Sequence, residues 1–149
     1  MSTREPTTAD STPEQVGLAF LHLAHGLREQ VDQDMAAAGL SLSRTKVLQV
    51  LASRGALHQA ELAEALDRAP RSVTQIVESL ERLGMVVRRD DPRDRRRKTV
   101  SLTGAGRTAL AAAERAGAHT LRRLFGSLGP RRLADAEALL DHLHGELAR

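Results

Sequence analysis

MVVRRDDPRDRRRKTVSL, residues 85–102, is the stretch whose reading decides how this chain folds. Two short runs of alternating apolar character, 85–89 and 98–102, flank a loop made almost wholly of charged residues. Period-two alternation on both sides of a polar, proline-containing loop predicts a β-hairpin. Between 88 and 98 stand seven bases (Arg88, Arg89, Arg93, Arg95, Arg96, Arg97, Lys98) and three acids (Asp90, Asp91, Asp94), a local charge of +4. The whole chain carries +3, so everything outside this loop sums to −1 and the positive charge is concentrated in one place. A hairpin that holds guanidinium groups in solvent suits a polyanion, because each arginine brought to a phosphate releases condensed counterion. Taken alone, the same residues read equally well as a solvated, charge-rich turn.

The residues upstream separate the two readings. After Ser43, an expected N-cap, Val47, Leu48 and Leu51 recur at helical spacing up to Gly55. QAELAEAL, residues 59–66, offers a second short helix around Leu62, Ala63 and Leu66. Asp67, Arg68 and Ala69 form a tight turn, and Pro70 stands where a first helical residue tolerates proline. A further helix then runs to Leu83 on Val73, Ile76, Val77, Leu80 and Leu83, with Gly84 as its C-cap. Two short helices joined by a tight turn and followed by a hairpin describe a winged helix-turn-helix, in which the second helix of the pair is the candidate recognition helix.

On that helix Arg71, Ser72, Thr74, Gln75, Glu78, Ser79 and Arg82 are expected to face away from the core. Arg71, Gln75, Glu78 and Arg82 step by four, three and four, so they share one stripe. Near the helix start Arg71 can fork onto guanine and Gln75 onto adenine, while Ser72 and Thr74 reach bases or phosphates. The free N–H groups beside Pro70 favour an anion as well. Such a stripe alone is an ordinary polar surface. Followed at once by a basic hairpin, it becomes a two-part surface suited to a major groove and an adjacent minor groove of double-stranded DNA.

Length and composition frame the rest. The 149 residues, 41% hydrophobic, suffice for one core with an integral oligomerisation element. Phe20 and Phe125 are the two aromatic residues, so the core must be aliphatic, which suits packed helices. The absence of cysteine excludes disulfides, thiolate metal sites and thiol-based redox sensing. No apolar run approaches membrane-spanning length, and MSTREPTTADSTP lacks the hydrophobic segment of a signal peptide, so a cytoplasmic protein without membrane contact is expected. Lys46 and Lys98 are the only lysines among 22 basic residues.

Amphipathic helices stand at both ends. Residues 1–13 are polar and read as a disordered tail. From Pro13 a helix carries Val16, Phe20, Leu23, Leu27, Val31 and Met35, ended by Gly39. Thr103 is placed to cap a helix reaching about Leu128, which Gly129 and Pro130 break. The last helix carries Leu133, Ala136, Leu140, Leu143 and Leu147, steps of three and four that make a coiled-coil-like seam. A winged module does not need these extra helices to cover it, so their apolar faces are expected to bury against each other and against a second chain. The organisation is then a tail (1–13), a dimerisation helix (14–40), a winged helix-turn-helix DNA-binding domain (41–103) and C-terminal dimerisation helices (104–149). The fold class is mainly α with a small β-hairpin wing.

The run from 62 to 107 resembles the MarR family of bacterial winged-helix regulators. The resemblance lies in ELAEAL, in V-T-x-x-V-x-x-L-E-x-x-G (Val73 to Gly84), in D-P-R-D-R-R (Asp91 to Arg96) and in V-S-L-T-x-x-G (Val100 to Gly106). It covers about two-thirds of the chain, its wing motif is specific, and the flanking helices agree in number and length. The resemblance implies a homodimer that binds pseudo-palindromic operators, usually represses, and in many members lets go of DNA when a small anionic or phenolic compound binds. It makes Arg96 the arginine that enters the minor groove, Asp94 the acid that orients it, and Arg93, Arg95 and Arg97, with Lys98 beside them, the neighbouring wing contacts. Two positions depart from the family. Arg68 and Ala69 stand where the turn usually has an apolar residue and a serine, and Ala69 has no side chain to cap the helix, a loss worth about 0.5–2 kcal/mol. Pro70 offsets part of that through its preset φ. Arg68 is either an additional phosphate contact or a solvated turn residue. The second departure is His58, where a serine or threonine usually caps the preceding helix.

Other chemistry is thin. Of the six histidines, His22 and His25 are three apart and His142 and His144 two apart, spacings that match no zinc site, so no metal or cofactor is expected. No phosphate loop, nucleophile elbow or catalytic carboxylate pair is visible, and no enzyme is expected. An effector pocket belongs where the first, second and fifth helices converge, with His22, His25, Leu27, Arg44 and Val47 as candidates. The competing function is a winged-helix module that binds protein through its basic wing. That version would expose an apolar patch on the recognition helix, whose outward face here is polar.

Overall fold

The computed structural model describes residues 10–149, so most of the segment read as a tail lies outside the described residues. Thr12 and Gln15 form a reciprocal capping box, side chain to backbone at 3.2 Å each way, and Pro13 takes the first helical position of α1 (Pro13–Met35). The helix therefore starts on the last residue of the expected tail. A 3₁₀ turn (Ala36–Ala38) and Gly39, at φ +75°, then reverse the chain.

Helix α2 (Leu42–Arg54) begins two residues earlier than expected. Ser41, not Ser43, is the N-cap, and its hydroxyl accepts the Arg44 N–H at 3.3 Å. The reason lies in α1: the Asp32 carboxylate accepts the Leu42 N–H at 2.7 Å, satisfying a donor that a later start would have left outside the helix. Strand β1 (Leu57–His58) follows, then α3 (Gln59–Ala65) and α4 (Pro70–Arg82). Asp67 adopts a left-handed φ of +49° in the turn between these two helices. Strands β2 (Val86–Asp90) and β3 (Lys98–Leu102) form the wing, α5 (Gly104–Phe125) starts on the Thr103 cap, and α6 (Gly129–Leu147) ends the chain. The fifth helix stops three residues short of Leu128 because 126–128 tighten into a 3₁₀ turn before Gly129, at φ +75°.

Among the described residues the sheet has three strands in the order β1-β3-β2, where sequence periodicity shows only the hairpin. Leu57 pairs with Val100 and His58 with Thr99. The wing register runs from Val86 opposite Leu102 to Asp90 opposite Lys98, without a bulge. One sheet face then carries Leu57, Val86, Arg88, Val100 and Leu102, and the other carries His58, Val87, Arg89, Thr99 and Ser101.

A single aliphatic core joins these parts. Val47, Leu48, Leu51, Leu62, Val73, Val77, Leu80, Val86 and Val100 are almost wholly shielded, and Val31, Met35, Leu110 and Ala113 close it from α1 and α5. The helix-turn-helix and the wing are thus held on the same scaffold as the long helices. The ends of those helices are different. Val16, Leu18, Phe20, Leu21 and Leu23 on α1 are exposed, as are Leu121 and Leu124 on α5. No residue of α6 is buried, and Leu133, Leu139, Leu140 and Leu143 stand open to solvent.

Candidate nucleic-acid interface

Helix α4 presents its first turn outward. Pro70, Arg71, Ser72 and Gln75 are exposed, while Val73 and Val77 face the core at 0% exposure. Ala69 supplies no capping side chain, which leaves the N–H groups of Arg71 and Ser72 free for an acceptor from outside. Thr74 is half-buried and committed: its hydroxyl donates to the Pro70 carbonyl at 2.9 Å and accepts from the Gln59 amide of α3. Arg82 is exposed at the far end. Arg68 is exposed too, with one guanidinium nitrogen 3.3 Å from the Ser43 hydroxyl, so it sits at the edge of the same surface.

Ser79 does not share that surface. It is buried, donates to the Ile76 carbonyl at 2.8 Å, and accepts from Arg44 Nε at 3.1 Å. Helical spacing places it between Ile76, Leu80 and Leu83, on the apolar flank of the stripe. Its hydroxyl is tolerated there because both of its hydrogen-bonding functions are used.

In the wing, charge divides into paired and unpaired groups. Arg88 lies against α4, with Nη2 3.1 Å from Glu81 Oε1 and Nη1 3.9 Å from Glu78. The same Glu81 carboxylate accepts the Arg88 backbone N–H at 3.3 Å. These bonds, the guanidinium's first among them, hold the Glu81 carboxyl below its usual range. Lys98 pairs with Asp90 directly across the ladder, and both side chains remain about half exposed. Arg93, Arg95, Arg96 and Arg97 are exposed and have no carboxylate partner among the described residues. They are the loop's free cations.

The loop that carries them is fixed by backbone bonds. The Asp91 N–H donates to the Arg97 carbonyl and the Arg97 N–H to the Asp94 carbonyl, both at 3.0 Å. Asp91 Oδ1 accepts the Arg93 N–H at 2.8 Å, and Asp94 Oδ1 accepts the Arg96 N–H at 3.0 Å. Asp94 therefore acts on Arg96 through the main chain and not through a side-chain ion pair. Each aspartate bonds the backbone two residues on, the Asx turn that favours this residue in loops.

The five candidate effector residues do not converge. Val47 is fully buried in the core. Arg44 bridges the Gly39 carbonyl (3.3 Å) and Ser79, tying α2 to the recognition helix. His25 is exposed and faces Glu29 at 3.4 Å. His22 and Leu27 alone share a groove, about 340 Å³, between α1 and α5, where they meet Thr120, Arg123 and Leu124. Among the described residues no group of three or more His, Asp or Glu side chains could hold a metal ion, and no helix is long and apolar enough to cross a membrane.

Sequence patterns do not reveal the join between α3 and the wing. His58 is the N-cap of α3, and its N–H donates to Glu61 at 3.0 Å. Its ring lies between Glu61 and Asp91, at 2.7 and 2.6 Å. The spacing His58-x-x-Glu61 is that of a capping box and could have suggested the first contact. The second spans 33 positions, beyond the reach of any local pattern.

Comparison with known proteins agrees with this geometry. A profile of the MarR family matches residues 40–98. A regulator of Mycobacterium leprae, named as the uncharacterized HTH-type transcriptional regulator ML2140, is 35% identical over 101 residues, 68% of each chain. A Thauera aromatica protein assigned to regulation of the hcr operon is 41% identical over 70 residues, 47% of this chain. The match spans less than half of that relative, 42% of its length. Among solved structures, the transcriptional repressor CouR bound to a 23-mer DNA duplex aligns at 28% identity with a TM-score of 0.77, covering 91% of this chain and 94% of that one.

Proposed function

Because the chain belongs to the MarR family of transcriptional regulators, we propose that it is a homodimeric repressor that binds pseudo-palindromic operators and is released by a small anionic or phenolic ligand. The observation that carries the DNA reading is the set of four unpartnered arginines of the wing loop beside the open first turn of α4. Dimerisation is assigned to segments 14–40 and 104–149, whose exposed leucines need a cover, and DNA binding to 41–103. A two-fold axis would set paired recognition helices about 34 Å apart, one turn of duplex.

The contacts should divide by their physics. Arg71 and Gln75 are assigned to base edges, where a lost bidentate pair costs about 1–3 kcal/mol and depends on the base opposite. Arg71→Ala should weaken binding to a duplex selected from a random library while leaving a scrambled duplex nearly unaffected. Arg95→Ala and Arg97→Ala should weaken both duplexes alike and lower the salt slope by about one ion each. Arg96→Ala should cost most where the outer flanks are A·T-rich, because a narrow minor groove focuses negative potential on an inserted guanidinium. Titrations at several salt concentrations resolve the three classes. Unchanged affinity in both Arg71→Ala and Arg96→Ala would overturn the DNA assignment.

The effector site is assigned to the groove between α1 and α5, where leucines give apolar walls, Arg123 supplies a cation and His22 a hydrogen-bonding ring for an aromatic carboxylate. Arg123→Gln should weaken carboxylate binding by roughly tenfold or more, since a charge-assisted bond is lost, and leave DNA affinity intact. Calorimetry against a panel of benzoates and cinnamates tests this. Absence of binding to the unaltered protein would remove the effector from the reading.

A further inference from the structure

His58 ends β1 and opens α3, so one residue belongs to both the wing sheet and the helix-turn-helix. Nδ1 is 2.7 Å from Glu61 Oε1 and Nε2 is 2.6 Å from Asp91 Oδ2. A neutral imidazole has a single N–H and can donate to one carboxylate only, leaving a lone pair facing the other. The ring that satisfies both is the imidazolium. Asp91 is also the residue that closes the wing loop: its second oxygen holds the Arg93 N–H and its own N–H holds the Arg97 carbonyl. Helix α3, on the other side of the ring, packs against the recognition helix.

We infer that protonated His58 is a positioning residue for DNA binding, bracing the wing loop against the helix-turn-helix through Asp91 and Glu61, so that DNA affinity falls as His58 loses its proton. The inference rests on the DNA reading above for its affinity consequence; the brace itself does not. Charged groups surround the ring from every side. Glu61 faces it from α3 and Asp91 from the loop, Arg96, Arg97 and Lys98 line the same small cavity of about 150 Å³, and Arg89 shares its sheet face one residue beyond Thr99. The two carboxylates retain the proton and the four cations oppose it. The hydrogen bond to Asp91 leads, outweighs burial, and with Glu61 raises the histidine above its ordinary 6.5. Asp91 is lowered, first by the Arg93 N–H and then by His58, and Glu61 is lowered first by the His58 N–H. Both acids therefore stay ionised while the histidine titrates. With the folded-state pKa raised, the brace is complete below about pH 6.5 and is lost as pH climbs through the raised value.

The test uses the full chain and a duplex recovered by selection from a random library at pH 6.0. Between pH 6.0 and 8.5 at fixed ionic strength, the Kd of the unaltered protein should rise roughly tenfold, the scale of one charge-assisted contact. His58→Gln and Asp91→Asn should be flat across the same range and close to the weak, high-pH value. Asn keeps an acceptor for the Arg93 N–H, so Asp91→Asn separates loss of charge from loss of the turn. A second readout needs no DNA: protection of the Asp91 and Arg97 amides from hydrogen exchange should fall with the midpoint of the His58 ring titration, and should be low throughout in His58→Gln. Equal pH slopes in the unaltered protein and His58→Gln, or amide protection indifferent to His58, would overturn the brace. Failure to bind any duplex, with protection still following His58, would support the brace and overturn the DNA reading.

Discussion

Truncation after Pro130 is expected to convert a dimer into monomer or aggregate, with loss of binding to any two-site duplex. No residue of the removed helix α6 is buried in its own chain, and Leu133, Leu139, Leu140 and Leu143 are 44–58% exposed. Covering each half-open leucine stabilises by about 1 kcal/mol, which gives roughly 8 kcal/mol over two copies. That is on the order of six decades in the dimer dissociation constant, more than a micromolar sample can absorb. Light scattering reads the outcome directly. An intact dimer after truncation would move the interface elsewhere and leave the exposed seam of α6 unexplained.

Gly106→Ala should destabilise the fold severely, although it adds a single methyl group. A Cβ at this position would stand 2.1 Å from the Met85 carbonyl oxygen and 2.7 Å from Leu102 Cδ1. The backbone cannot yield there, because the Met85 carbonyl already accepts the Thr103 N–H at 3.0 Å and the Thr103 hydroxyl donates to Gly84 at 2.7 Å. Those bonds join the start of α5 to the root of the wing. The clash should cost about 3 kcal/mol or more and lower Tm by roughly 10 °C. Gly104 is the control: it lies in the same helical turn with no atom within 4 Å of an added Cβ, so Gly104→Ala should be neutral or slightly stabilising. Coincident thermal melts for the two variants would refute the close packing at Gly106.

Much of this architecture is legible in the sequence because local rules specify it. Pro70, the apolar spacing from Val73 to Leu80 and Gly84 define α4 without help from the rest of the chain, and the alternation on either side of the charged loop defines β2 and β3. Where two nearby residues can do the same task, the sequence is ambiguous: Ser41 and Ser43 are both good caps, and the choice is made by Asp32 from another helix. Strand β1, two residues long, is too short to show alternation at all. The site is harder still. The loop's composition reveals how many charges are present but not which are neutralised, since Arg88 finds Glu81 seven positions back and Arg44 finds Ser79 35 positions on. Ser79 departs from its expected outward face for a simpler reason: a polar residue at the edge of an apolar stripe is buried when a long side chain from elsewhere reaches it.

Helix α5 also has the proportions of a lever. Its 22 residues run unbroken from the wing root to the groove at Thr120 and Arg123, a rod of about 33 Å. A rod pivoting near one end converts angle into travel, so a tilt of about 5° at the groove displaces the far end by about 3 Å, close to the rise of one base pair. On the function proposed above, a ligand in the groove would not need to approach the DNA surface, or alter any arginine, to shift the wing by about one step along a duplex.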